Sequence, residues 1–306
     1  MRATLIVNPY ASAVGEERVR AVERELAAAY ELRTVLTEGR GHAVELARAA
    51  EGEAVFAFGG DGVFNEVLNG VDGTRPLGFV PGGGTNVLPR ALGLPEDPVA
   101  AARLLVAARV RRISLGRVNG RRFAFGAGIG LDSAAVRHVD ARGRRADGKR
   151  PGDVAFALAV VSVVRASGWR LRDRLVLEPA GGEDAGETAR DRRDTAALVV
   201  VSNNAIFTYA GPVPFRFSPA ARFELGLDYV ALSRPHAARI AAGLARAALG
   251  LGIAGLAGAI AGHDVDRLVV RCCEPYPLQA DGEDLGDVAE AVFEAERDAV
   301  GVLVPS

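Results

Sequence analysis

Residues 54–70 read AVFAFGGDGVFNEVLNG. The first five are apolar with no polar alternation, the pattern of a central strand covered on both faces of a parallel sheet. Gly59, Gly60 and Gly62 then surround Asp61, and Val63 to Val71 continues with helical spacing. Glycine admits positive φ and lets a ligand approach the main chain, so a strand, a glycine turn and a helix start expose several N–H groups at one place. The partial positive charge of a helix start favours an anion there. Asp61 would oppose that anion unless a divalent cation lay between them. Its carboxylate is therefore a candidate partner, direct or through water, for Mg²⁺ on a nucleotide phosphate.

Working outward, TLIVNP (4–9), ELRTVLT (31–37) and PLGFV (76–80) read as strands. Glu16–Tyr30 reads as a helix with Val19, Val22, Leu26 and Ala29 on one face, and His42–Ala50 as a second helix. Strict alternation of strand and helix argues for a parallel sheet with helices on both faces. GFVPGGGTNVLPRALGLP (78–95) repeats the construction of the opening stretch: a strand, Gly82 to Gly84, then Thr85 and Asn86 opening a helix to about Leu92. The Thr85 hydroxyl either caps that helix or meets a phosphate oxygen. Two ordinary turns would explain both segments separately; one site formed by both is the simpler explanation.

After about Arg112 the rhythm changes. Asn119-Gly120 between strand-like runs is a strong signal of a two-residue hairpin. WRLRDRLVLE, AALVVVSNN, RFELGLDYVALS and VDRLVVRCC continue a strand-rich pattern, while Val154–Val164 and Ile240–Ile260 suit helices. Residues 179–194 are polar and Gly-rich and read as a hairpin connection. No internal repeat is visible.

A chain of 306 residues exceeds the usual growth of one hydrophobic core, so two domains are expected. The net charge of −1 gives no electrostatic reason to expect nucleic acid. Lys149 is the sole lysine. That excludes the Walker P-loop and the protein-kinase strand, both of which place a lysine on nucleotide phosphates. Phosphates would here meet backbone amides, arginine or metal. Cys272 and Cys273 are adjacent in a strand, where successive side chains point apart, so buried packing is expected rather than a disulfide or metal cluster. The opening MRATLIVNP shows no cleavage-site pattern, and a reducing cytoplasm fits. The uncharged stretch Ala247–Gly262 falls short of the ~20 residues of a spanning helix and suits a core or interfacial helix. His42, His138, His236 and His263 form no metal-ligand spacing and suit surface or capping roles. No GxSxG nucleophile elbow occurs. The basic run Arg137–Arg150, followed by VAFALAVVSVV and Trp169, is either a solvated loop beside a core helix or an edge drawn to anionic lipid headgroups.

The ordered series of motifs resembles the bacterial diacylglycerol kinase-like lipid kinases, the family that includes sphingosine and ceramide kinases. The resemblance rests on NPYASA (8–13), TEGRGHAVELA (37–47), GGDGVFNEVLNG, PGGGTNVLPRALGLP, FGAGIGLDSAAV (125–136), VSNNAIFTYAGP (201–212), LQADGEDLG (278–286) and the final VGVLVPS, and covers nearly the whole chain. It implies an α/β N-terminal nucleotide-binding domain with a parallel, NAD kinase-like sheet, over residues 1–116 with a return strand at about 296–306. It also implies a mainly antiparallel β-sandwich over residues 117–295 that takes the lipid. The implied activity is ATP-dependent phosphorylation of a lipid hydroxyl, diacylglycerol or a related lipid, with ATP and Mg²⁺ as cofactors and a role in phospholipid metabolism. Carried over by position, Asn8, Thr37, Gly59, Gly60, Asp61, Gly62, Asn65, Glu66, Gly84, Thr85 and Asn86 line the nucleotide site. Asp61 serves metal and catalysis, and Glu283 matches the proton acceptor. Asp281-Gly282 is, on the residues alone, equally a good hairpin turn.

The chain departs from the family in three places. Ser12 is followed by Ala13 rather than glycine, and Val63 stands where threonine is common. The family's metal-binding turn aligns with Glu224-Leu225-Gly226-Leu227-Asp228, with Leu225 in the place of glycine, so Glu224 is the weaker metal candidate. An NAD kinase-like phosphotransferase and a non-catalytic nucleotide- or lipid-binding protein are the alternatives, and a homodimer stays open.

Overall fold

The computed structural model describes residues 1–141, 162–166, 168–179 and 194–306. The chain forms two compact units, one of Met1–Leu115 with Arg297–Ser306, the other drawn from Gly116 to Glu296.

In the first unit, β1 (Arg2–Val7), β2 (Glu31–Leu36), β3 (Ala54–Gly59) and β4 (Leu77–Pro81) are parallel, in the order β2-β1-β3-β4. The last part of β16 (Glu283–Val304) adds a further parallel strand, with Val302 beside Leu77. Every residue of β3 is buried, as its unbroken apolar run predicts. On one face α1 (Glu16–Leu26) and α5 (Pro98–Val106) bury Val22, Leu26, Ala101 and Leu105 against Leu5, Phe56, Phe58 and Val80. On the other lie α2 (His42–Arg48) and α3 (Asp61–Gly70), where the Phe64 ring meets Phe79 edge-on at 5.3 Å. The short α4 (Val87–Ala91) follows β4. Helix α5 has no counterpart in the sequence reading, although Asp97 caps it by accepting a 2.7 Å hydrogen bond from the Ala100 N–H with Pro98 in the first turn.

The second unit is antiparallel throughout its described strand pairs and stacks two sheet layers. Leu175 and Leu177 of β8 (Leu175–Pro179), Leu268 and Val270 of β15 (Arg267–Ala280), and Ala291 and Phe293 of β16 point into one core. Facing them are Ala127 and Ile129 of β7 (Gly126–Ile129), Val199 and Val201 of β10 (Leu198–Ser202), and Leu227, Tyr229 and Ala231 of β13 (Leu227–Leu232). This period-two alternation makes a β-sandwich. The outer faces of β10 and β13 (Leu198, Val200, Val230 and Leu232) are covered by α6 (Leu131–Ala141) and α7 (Ala237–Ala248), which explains why neither strand has a polar side. The Asn119-Gly120 hairpin is present between β5 (Arg109–Val118) and β6 (Arg121–Phe123), with φ of 47° and 85° as a type I′ turn requires.

Three expectations are corrected. The stretch Ala247–Gly262 is not a helix: α7 stops at Ala248, Gly250, Gly252 and Gly258 take φ of 71°, 64° and 73°, and β14 runs Ala259–Val265. Thr85 does not cap α4, because Asn86 at φ 51° occupies the position before it. Of the cysteines, Cys272 packs against the sandwich core, where burial pushes its thiol up to about 11, but Cys273 is exposed. The basic residues of Arg142–Arg150, most of Val154–Val164 and most of residues 179–194 lie outside the described residues. Arg137 itself is held by Asp284 at 2.8 Å and Asp287 at 2.6 Å. No helix among the described residues is long and apolar enough to cross a membrane.

Candidate active site

Parallel strands end together, so the residues after β1, β2, β3 and β4 of the first unit share one edge. Val7 is in register with Leu36 and Phe58, and Gly59 with Pro81. The chain passes from β1 outward to β2, then back across β1 to β3. This reversal is the switch point at which such sheets bind ligands. Asn8 stands there, its N–H donating to Phe58 O at 2.9 Å and its Cβ 3.3 Å from where a Cβ on Gly59 would lie. The Ala13 N–H donates to Gly82 O at 2.8 Å, which draws the loop after β1 onto the second glycine turn.

The two glycine turns are interlocked. A Cβ on Gly83 would lie 2.7 Å from the Gly60 Cα, and one on Gly82 2.7 Å from Val14. Gly83 is required by the meeting of two backbones and Gly82 by a packed side chain, roles distinct from ligand approach. Gly84 is different: a Cβ there would meet nothing within 4 Å. The Thr85 hydroxyl beside it has no hydrogen-bond partner among the described residues. Asp61 opens α3, half-buried, and accepts from the Leu88 N–H of α4 at 3.3 Å. Its carboxylate ties the two turns. One carboxylate suffices for Mg²⁺ where phosphate oxygens and water complete the shell.

Four other candidates serve as scaffold. Glu66 is buried and accepts from the N–H groups of Gly41 at 2.8 Å and Ala43 at 3.1 Å, closing the otherwise uncapped start of α2 and fixing the loop that follows Thr37. Thr37 is itself buried, its N–H donating to Val7 O at 2.8 Å. Asn65 is buried within α3 and accepts from the Asn69 side chain at 3.2 Å. Asn86 accepts from Gly83 N–H at 2.8 Å and returns a bond to Gly83 O at 2.9 Å, which locks the second turn. Gly59 ends β3, and Gly62 follows Asp61 in the first turn of α3.

In the second unit Asp281-Gly282 is a hairpin turn, with Ala280 paired to Glu283 and φ of 48° and 75°. It is more than a turn. The buried Asp281 carboxylate accepts from the N–H groups of Ala124, Phe125 and Gly126 at 2.6, 3.0 and 3.2 Å. Gln279 accepts from the Gly282 N–H at 2.9 Å. Glu283 is thereby fixed at the head of β16, where its Oε2 accepts from the Arg121 guanidinium at 2.6 Å. Nearby, Asn203 at the end of β10 donates to Ala124 O at 2.9 Å, and the buried Ser202 hydroxyl and Asn204 amide nitrogen have no partner among the described residues. Sequence reasoning named neither Arg121 nor this amide nest. Their only sequence signal is the FAFGAGIG run itself, since the contacts join segments more than 150 residues apart.

The turn aligned with the family's metal site keeps its two carboxylates in different surroundings. Glu224 is exposed, whereas Asp228 is buried and its Oδ1 accepts from the Asp264 N–H at 3.1 Å and lies 2.8 Å from His263 Nδ1. Among the described residues no three His, Cys, Asp or Glu side chains gather as metal ligands. His236 and His42 instead accept backbone N–H groups, from Arg239 at 3.4 Å and Glu38 at 3.0 Å.

A parallel sheet with glycine turns at its switch point, joined in sequence to an antiparallel sandwich, defines an NAD kinase-like fold. An NAD kinase from Archaeoglobus fulgidus, solved in complex with ATP, shares it at 12% identity and a TM-score of 0.50, over 100% of this chain and 94% of that one. A diacylglycerol kinase crystal structure from Bacillus anthracis str. Sterne superposes with a TM-score of 0.67 at 19% identity, covering 99% of this chain and 96% of that one. Residues 2–118 match the diacylglycerol kinase catalytic domain. The diacylglycerol kinase of Bacillus subtilis (strain 168) is 37% identical over 138 residues, 42% of this chain and 46% of that protein. The matched part thus spans less than half the length of that curated relative.

Proposed function

We propose that the chain is an ATP-dependent kinase that phosphorylates a lipid hydroxyl, with diacylglycerol or a close relative as acceptor. The observation that carries this reading is the interlocked pair of glycine turns at the switch point, which presents Gly84, Thr85 and Asp61 together at the ends of β3 and β4. With no lysine but Lys149 in the chain, backbone N–H groups and the α3 start receive the phosphates. Mg²⁺, held through Asp61, would neutralise charge on the transferring phosphoryl group. Glu283 receives the proton of the acceptor hydroxyl as its oxygen bonds to the γ-phosphorus and the bond to ADP breaks. Arg121 holds the Glu283 carboxylate in place meanwhile. The family match of residues 2–118 and the curated diacylglycerol kinases similar to them support the lipid as acceptor class.

The test is incubation of pure protein with labelled ATP, Mg²⁺ and a panel of detergent-dispersed lipids, with NAD as a control acceptor. Labelled lipid is the expected product. Labelled NADP with no labelled lipid would overturn the proposal, and so would no phosphotransfer to any acceptor.

A further inference from the structure

The outer side of α7 and the loop that follows it carry an unusual surface. From Pro235 to Gly262 the sequence contains no acidic residue. The exposed positions of α7 are Ala238, Ala241, Ala242 and Ala245, a helix face without a charge. Beyond its C-terminus, Leu249 and Leu251 are 73% and 57% exposed on either side of Gly250, which takes a positive φ. At its N-terminus stands Trp169, 51% exposed, its carbonyl accepting from the Ala237 N–H at 3.1 Å.

The charged side chains of this stretch are arginines, and the carboxylate beside its start, Asp173, is taken up by the Ser233 hydroxyl, the Arg234 N–H and the Arg234 guanidinium. Arg239 bonds Ser233 O and Arg246 bonds Gly252 O and Leu251 O, all backbone carbonyls. Arg216 approaches the same loop, 3.6 Å from a Cβ on Gly250. None of the three forms an ion pair among the described residues, whereas arginines elsewhere in the unit do, as in Arg121–Glu283, Arg122–Glu296 and Arg271–Glu178. Exposed apolar side chains rimmed by unneutralised cations, with tryptophan at one end, are the composition of a helix that lies in the plane of a bilayer interface. A water-facing helix would carry charges on its outer positions, and α7 has alanine there.

We propose that α7 and the Leu249–Gly252 loop dock the second unit on an anionic lipid surface, with Leu249 and Leu251 entering the headgroup layer and Arg216, Arg239 and Arg246 facing its negative charge. None of these residues belongs to the Glu283 turn or to the glycine turns. It concerns binding to a bilayer and not the chemistry of transfer, so vesicle binding without nucleotide tests it independently of the kinase reading.

The experiment is sedimentation of the full chain with vesicles of phosphatidylcholine alone or with 30% phosphatidylglycerol, as a probe composition of about that fraction. Trp169, the sole tryptophan, serves as an intrinsic fluorescence reporter. The expected result is binding to the anionic vesicles that weakens with salt, with a blue shift of Trp169. L249E/L251E, in an exposed loop, and A245E, on the exposed helix face, should each cut vesicle affinity by at least about tenfold with the unfolding midpoint unchanged. Unchanged affinity in both variants would overturn the proposal. So would equal binding to neutral vesicles, or sedimentation equilibrium showing a dimer that the same substitutions dissociate, which would make a second copy the occupant.

Discussion

Two neighbouring glycines behave oppositely. Gly83→Ala places a methyl 2.7 Å from the Gly60 Cα and forces the backbones apart, so it should lower both stability and nucleotide affinity. Gly84→Ala meets nothing within 4 Å, so it should leave thermal unfolding unchanged and weaken ATP binding only if phosphate approaches there. Paired unfolding and nucleotide-titration measurements separate the two effects. Glu283→Gln keeps the shape of the side chain and removes its proton affinity. It should leave nucleotide binding nearly intact while kcat falls by roughly 10²- to 10⁴-fold without rescue by extra Mg²⁺, and a near-normal kcat would return Asp281-Gly282-Glu283 to a purely structural turn. By contrast, Asp61→Asn should lose turnover that high Mg²⁺ partly restores. At this scale the sequence is legible for types and silent about partners. Asp61 and Glu283 stand out by motif, but Glu66 as the cap of α2 and Asn86 as the lock of the second turn depend on contacts that no local pattern encodes.

Elements are held by buried acceptors and by charge. Glu66→Ala leaves the Gly41 and Ala43 N–H groups without their acceptor and should destabilise the first unit by about 1–3 kcal/mol in urea unfolding, the usual cost of unsatisfied buried donors. In the sandwich, Glu296 accepts from Arg122 at 2.8 and 2.5 Å and from Arg117 at 2.9 Å. The Arg122 hydrogen bonds, with Arg117 adding to them, hold its carboxyl below the ordinary 4.5. A depressed carboxyl stabilises the fold fully above its unfolded value and loses that contribution as pH falls through the folded one. Glu296→Gln should therefore be less stable than the parent at pH 7, with the gap closing below 4.5. A constant gap across that range would contradict it. The main strands and helices of the first unit were readable because apolar runs and glycine turns alternate there. The fate of Ala247–Gly262 was not, since alanine and glycine suit helix and loop alike and only the positive φ of Gly250, Gly252 and Gly258 decides.

For the whole molecule, connectivity sets a dependence. The chain leaves the first unit after Leu115 and returns at Arg297, so the last ten residues complete a sheet begun by the first seven. Val300, Val302, Leu303 and Val304 are buried there, and losing them forfeits about 6–12 kcal/mol of apolar burial, comparable to the entire stability of a domain. A chain truncated after Glu296 should lose protease protection of Met1–Leu115. Retained protection would mean that this strand is dispensable.

The backbone contact between Gly60 and Gly83 bears on how this sequence can vary over time. Two segments some two dozen residues apart share a single patch of space, so a side chain admitted at either position consumes room that the other needs. Mutational tolerance at the two sites is therefore joint, and a double-mutant cycle of Gly60→Ala with Gly83→Ala should be strongly non-additive. Descendants of this gene can replace Gly84 one substitution at a time. They can replace Gly60 or Gly83 only after the loops have moved apart, which would dissolve the edge where the two strand ends meet.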